Sequence, residues 1–112
     1  MALYVPRKGD FVAVTFDPQS GHEQRGRRPA LVVSNDLFNK HTGLAMARPI
    51  TNTDRNYSFH VAIPQQDPRL TGFVMVEQVK SIDFRARKVR RIGRATQELL
   101  EEVLSILDAI LY

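Results

Sequence analysis

The chain has 112 residues, 43% of them apolar and 25% charged, and no cysteine. That length suits one domain, expected to span residues 1–112, with one modest core. The missing cysteine excludes disulfides, thiol nucleophiles and cysteine-based metal sites, and no stretch has the roughly 18 apolar residues of a membrane span, so a cytoplasmic protein is expected.

Sixteen Lys and Arg against twelve Asp and Glu give a net charge of +4, and twelve of the sixteen are arginine, whose fork suits phosphate. The charge is unevenly placed. All sixteen bases lie in the first 94 residues with eight acids; the remainder carries Glu98, Glu101, Glu102 and Asp108 and no base. A basic body beside an acidic segment fits a polyanion partner, and a solvated basic face fits equally well.

In chain order, residues 10–16 (DFVAVTF) read as a strand rich in Val and Phe. Asp17, Pro18, Ser20 and Gly21 open a long polar loop that ends at Pro29. Residues 30–34 (ALVVS) predict a second strand buried on both faces. Residues 35–43 predict a turn or a single helical turn, capped by Asn35 or Asp36. Residues 44–50 (LAMARPI) predict a third strand, whose Pro49 argues for an edge or a strand end. Residues 59–63, 72–79 and 84–93 read as further strands. From Thr96 the period changes. Leu99, Leu100, Val103, Leu104, Ile106, Leu107, Ile110 and Leu111 follow helical spacing, with Thr96 as N-cap and Glu98 near the positive helix end. About six short strands and one helix predict a mainly β fold, a small barrel or curled sheet closed by a C-terminal helix. The apolar helix stripe is wide enough for part of it to meet a second subunit.

Three segments could carry chemistry. The loop in residues 17–34 concentrates His22, Glu23, Arg25, Arg27 and Arg28. A carboxylate, an imidazole and guanidiniums are what phosphodiester cleavage needs: a base for the nucleophile's proton, and cations for the charge that builds on phosphoryl oxygens. A loop of solvated charges explains the same residues. Residues 49–58 (PITNTDRNYS) offer Thr51, Asn52, Thr53 and Arg55 as phosphate or hydroxyl contacts, with Tyr57 and Phe59 for base stacking. Residues 76–93 begin with Glu77, Gln78 and Lys80 and end in a basic stretch, which suits a nucleic-acid groove beside Phe84 or a charge-protected edge strand. His22, His41 and His60 are far apart in sequence, and no metal or cofactor site is expected. Such a site fits RNA better than DNA, because RNA carries its own nucleophile in the 2′-hydroxyl.

GHEQRGRRPALVVS (21–34), RPIT (48–51) and EQVKSIDFRAR (77–87), with the opening YVPRKGDFVAVTFDP (4–18), resemble the MazF/PemK family of toxin ribonucleases. The resemblance runs in register over essentially the whole chain. GHEQ and RRIGRA (90–95) are similar to the ChpB-type branch. It implies an SH3-like barrel of the CcdB/PemK type with a C-terminal helix. It also implies metal-independent cleavage of single-stranded RNA, a homodimer with the RNA groove across its interface, and a MazE-like acidic antitoxin as partner. By motif, Arg28 and Thr51 match the family's catalytic pair and Glu23 its loop carboxylate. His22, Arg25, Arg27, Asn52, Arg55, Gln78 and Lys80 are the RNA-binding candidates. Glu23 is the first candidate for the base, or a loop carboxylate that only holds the Arg28 side chain, and His22 is the second candidate. The chain lacks tryptophan, and Phe84 follows SID where the family often has one. The competing readings are a CcdB-like gyrase poison without catalysis and a nucleic-acid-binding barrel without chemistry.

Overall fold

In the computed structural model, residues 4–14, 28–64 and 70–112 are described. The strands are β1 (Asp10–Val14), β2 (Arg28–Val32), β3 (Leu44–Thr51), β4 (His60–Ala62), β5 (Phe73–Met75), β6 (Lys80–Asp83) and β7 (Arg90–Arg94). The helices are α1 (Asp36–Thr42) and α2 (Gln97–Leu111). All strand pairs are antiparallel and follow the order β4-β5-β3-β2-β1-β7, with β6 also paired to β3.

Alternation along the central strands feeds two cores. Phe11, Leu31, Val33 and Ile50 face one side, where Val74, Val76 and Leu99 and Val103 of α2 complete a cluster. Val12, Val14, Ala30, Val32, Ala45 and Ala47 face the other side with Ile82 and Phe84. β2 is thus buried on both faces, as its apolar run requires. Within α2, Leu99, Leu100 and Val103 are buried, Leu104, Ile106 and Leu107 pack at the margin, and Ile110, Leu111 and Tyr112 are exposed. The Thr96 hydroxyl caps it, accepting from the Leu99 amide at 3.1 Å, an interaction worth about 1 kcal/mol.

β3 is the strand on which the sheet turns. Its first half (Leu44 to Ala47) pairs with β6, and its last two residues, Ile50 and Thr51, pair with β5. Pro49 sits between these ladders, opposite Ala30 of β2. The Val33 amide donates to the Met46 carbonyl, so even-numbered residues point their backbone groups at β2 and Pro49 points away. The missing N–H therefore falls in the gap between β6 and β5. Pro49 is tolerated inside a central strand, not at the expected edge or end, because no ladder passes there.

Two further expectations are corrected. Residues 35–43 form a seven-residue helix, α1, capped by Asn35 (Phe38 N–H to Oδ1, 2.8 Å) and ended by Gly43 at φ 73°. Residues 84–93 are not one strand. The chain reverses at 84–88, where Asp83 Oδ1 accepts from the Ala86 amide at 3.1 Å and Lys88 adopts φ 52°. Phe84 is buried in the second core and is not free to stack on a base. β7 is an edge strand whose Arg91 and Arg94 reach the buried Asp10 carboxylate at 3.4 and 3.1 Å. Part of the basic stretch is therefore structural.

Candidate active site

Arg28 opens β2 and Thr51 closes β3. Antiparallel pairing of these strands (Ala30 opposite Pro49) brings their ends to one end of the sheet. Both line a pocket of about 540 Å³, whose wall continues through Arg55, Tyr57, His60, Glu77 and Gln78. The loop between β3 and β4 is shaped locally. Asp54 Oδ1 accepts from the Asn56 amide at 2.9 Å and Asn56 takes φ 56°, a compact Asx turn. The His60 amide then donates to the Tyr57 carbonyl, and the two rings meet edge to face with centroids 5.2 Å apart.

Thr51 is held from two sides. Its Oγ1 accepts from the Thr53 amide at 3.1 Å, which leaves the hydroxyl proton available for donation. Gly72, at φ 121°, lies so close that a Cβ would overlap the Thr51 carbonyl oxygen. Only glycine permits that approach.

The carboxylate wall is built from residues distant in sequence. The register His60↔Met75 places Glu77 beside His60, and His60 Nε2 lies 3.0 Å from Glu77 Oε2. The His60 side chain is 3% exposed and that of Glu77 31%. Among the described residues His60 Nδ1 is buried without a partner, an arrangement that suits the tautomer with Nε2–H donating to Glu77 and Nδ1 as a bare acceptor. Arg48 is buried as well, and among the described residues its Nε and Nη1 have no hydrogen-bond partner. Burial pushes its pKa down from the usual guanidinium value, and the charge of Glu77 opposes that shift.

Of the expected residues, Arg28, Thr51, Arg55 and Gln78 meet in this pocket. Asn52 faces an adjacent pocket of about 270 Å³, where its Oδ1 accepts from the Thr71 hydroxyl at 3.1 Å. Lys80 is exposed at the start of β6, opposite Ala47, away from the pocket lining. Glu23, His22, Arg25 and Arg27 lie outside the described residues. Arg48, His60 and Glu77 were not among the expected site residues. The one sequence signal for His60 was a lone histidine within the apolar alternation FHVAI. Among the described residues no three His, Asp or Glu side chains converge to hold a cation, and no helix is long and apolar enough to cross a membrane.

A family model described as the PemK-like, MazF-like toxin of type II toxin–antitoxin systems matches residues 7–111. The chain is similar to the endoribonuclease toxin ChpB of Escherichia coli K12, with 44% identity over 107 residues, 92% of this chain and 91% of that one. To the endoribonuclease toxin MazF of the same strain it is 36% identical over 111 residues, 99% and 98% of the two chains. Among solved structures, MazF from Deinococcus radiodurans matches with a TM-score of 0.84 at 39% identity, covering 97% of this chain and 98% of that one. A chain from a MazE–MazF crystal structure of the same organism matches with a TM-score of 0.86 at 37% identity, covering 96% and 97%. The mainly β fold with a C-terminal helix is the fold of these toxins, and the chain belongs to the PemK-like, MazF-like toxin family.

Proposed function

We propose that the chain is the toxin of a type II toxin–antitoxin pair, an endoribonuclease that cuts single-stranded mRNA and so arrests translation and growth. The observation that carries this reading is the meeting of Arg28 and Thr51, from different strands, in one pocket where the threonine keeps a proton to donate. The guanidinium of Arg28 donates to the scissile phosphate and stabilises the charge that builds on its oxygens. The hydroxyl of Thr51 donates to a phosphoryl oxygen or to the leaving 5′-oxygen. The 2′-oxygen attacks phosphorus, the bond to the 5′-oxygen breaks, the 2′-hydroxyl proton passes to a base, and the 5′-oxygen takes up a proton from solvent. The products are a 5′-hydroxyl and a 2′,3′-cyclic phosphate, which water can open to a 3′-phosphate. Glu23 is the assigned base, with His22 second. Arg28 and Thr51 supply charge stabilisation themselves, and the reaction is metal-independent.

The working form is a cytoplasmic homodimer, and the partner is an acidic, MazE-like antitoxin that competes with RNA for the same basic surface. Two findings support that partner: solved MazE–MazF complexes resemble this chain, and Arg28 and Arg55 give the pocket two guanidiniums. Incubation with single-stranded RNA in EDTA tests the reading. Cleavage to fragments with 5′-hydroxyl ends is expected, and intact RNA after exposure to folded protein refutes it.

A further inference from the structure

Glu77 is the one carboxylate among the described residues that line the pocket. An ionised carboxylate repels phosphate, so the RNA backbone is a poor occupant of the space in front of it. Its surroundings fix it as an acceptor. His60 holds Oε2, and His60 is itself buried and braced by the edge-to-face contact with Tyr57. The charge of Glu77 acts on buried Arg48. Among the described residues no hydrogen bond engages Oε1, and the side chain keeps about a third of its surface exposed. Beside it stand the half-exposed ring of Tyr57 and the amide of Gln78. A fixed acceptor next to an aromatic plane and an amide is equipment for reading the edge of a stacked base.

We propose that Glu77, positioned by His60, is a specificity residue that accepts a hydrogen bond from the exocyclic amino group of one RNA base stacked on Tyr57. Adenine, cytosine and guanine carry such a group. Uracil does not: its N3–H is flanked by two carbonyl oxygens, which the carboxylate repels. The pocket therefore rejects uracil at this position. This assignment rests on the endoribonuclease reading and gives Glu77 no part in proton transfer.

The test removes one amino group at a time from an RNA that the protein cuts, using purine riboside for adenosine, inosine for guanosine and pyrimidin-2-one riboside for cytidine. Binding is measured on strands made uncleavable by a 2′-deoxy nucleotide at the cut site, so that no chemistry contributes. For the wild type, loss of one particular amino group is expected to weaken binding about ten- to hundredfold, the range for a hydrogen bond to a charged group. In Glu77→Gln that loss is expected to cost less than threefold, and Glu77→Ser is read in the same way. The proposal is overturned if no amino group matters to the wild type, or if Glu77→Gln preserves the full discrimination. It is also overturned if Glu77→Gln lowers turnover equally on every RNA and leaves binding discrimination unchanged, since that is the behaviour of a proton acceptor. A wild type that cuts no RNA removes the nuclease reading and this one with it. Cleavage without base discrimination removes this one alone.

Discussion

Gly72 and Thr51 are in contact through a backbone approach that no other residue could make: a Cβ at position 72 would overlap the Thr51 carbonyl oxygen and come within 3.0 Å of Asn52 Oδ1. The glycine also takes φ 121°, which side chains rarely adopt. Gly72→Ala must therefore move Thr51 or the start of β5. It is expected to cut RNA cleavage about tenfold or more, because displacement of a reacting group by about 1 Å has large kinetic effects. Thermal unfolding should fall by about 1–3 kcal/mol. Unchanged turnover in a folded Gly72→Ala would show that Thr51 is not held through this contact.

Arg28 is exposed and belongs to neither core cluster. Arg28→Ala is expected to reduce cleavage by a factor of about 100 or more, the cost of losing a donor to developing charge. Its melting temperature should match that of the wild type. Arg28→Lys should recover only part of the activity, since an ammonium cannot reproduce the two-pronged contact. Turnover measured in EDTA on the three proteins decides this, and a fully active Arg28→Ala would remove the residue from the mechanism.

Replacing the 2′-hydroxyl by hydrogen at the cut site alone should stop the reaction, because that oxygen is the nucleophile. Deoxy substitution at other positions should leave cutting in place. Strand scission of the deoxy RNA would mean that water, not the neighbouring ribose, attacks phosphorus.

The buried Asp10 links the N-terminal segment to β7. Its Oδ2 accepts from the Tyr4 hydroxyl at 2.5 Å and from the Arg7 amide at 3.1 Å, and its Oδ1 receives Arg94 and Arg91. Burial, and next the hydrogen bond to Asp10, push the Tyr4 phenol well above its usual range. A raised pKa favours the protonated phenol in the folded state. Its stabilising contribution is complete below the unfolded value of about 10 and is lost progressively as pH rises above it. Urea unfolding from pH 8 to pH 11 should show wild-type stability declining at the alkaline end. Tyr4→Phe should start lower, by about 1–2 kcal/mol, and decline less. Parallel curves for the two proteins would contradict the assignment.

The sequence made the central sheet and the final helix legible for a simple reason. β1, β2 and β3 bury both faces, and α2 buries a stripe, so composition and period carry the signal. The reversal at 84–88 escaped because Phe84 and Val89 both belong to the second core and imitate one strand, while the turn depends on the Asp83 side chain and on Lys88 in a left-handed conformation. Arg28, Thr51, Arg55 and Gln78 were legible because they sit in motifs or beside them. Arg48 and Glu77 open two of those motifs, RPIT and EQVKSIDFRAR, without being marked as site residues, and His60 sits in none. Their meeting is set by the pairing of β4 with β5 and of β5 with β3, which no local pattern contains.

The break at Pro49 has a consequence for how such a chain can diversify. Thr51, Tyr57, His60, Glu77 and Gln78 all follow it, on the limb formed by the end of β3, β4 and β5, whereas β6, β1 and β7 pair elsewhere. On the side of β3 away from β2 no hydrogen-bond ladder of the described residues crosses that point, while the β2–β3 ladder continues past it. Apart from Arg28 on β2, the pocket lining is therefore drawn from one stretch, residues 51–78, so variation confined to that stretch changes most of what a bound strand meets.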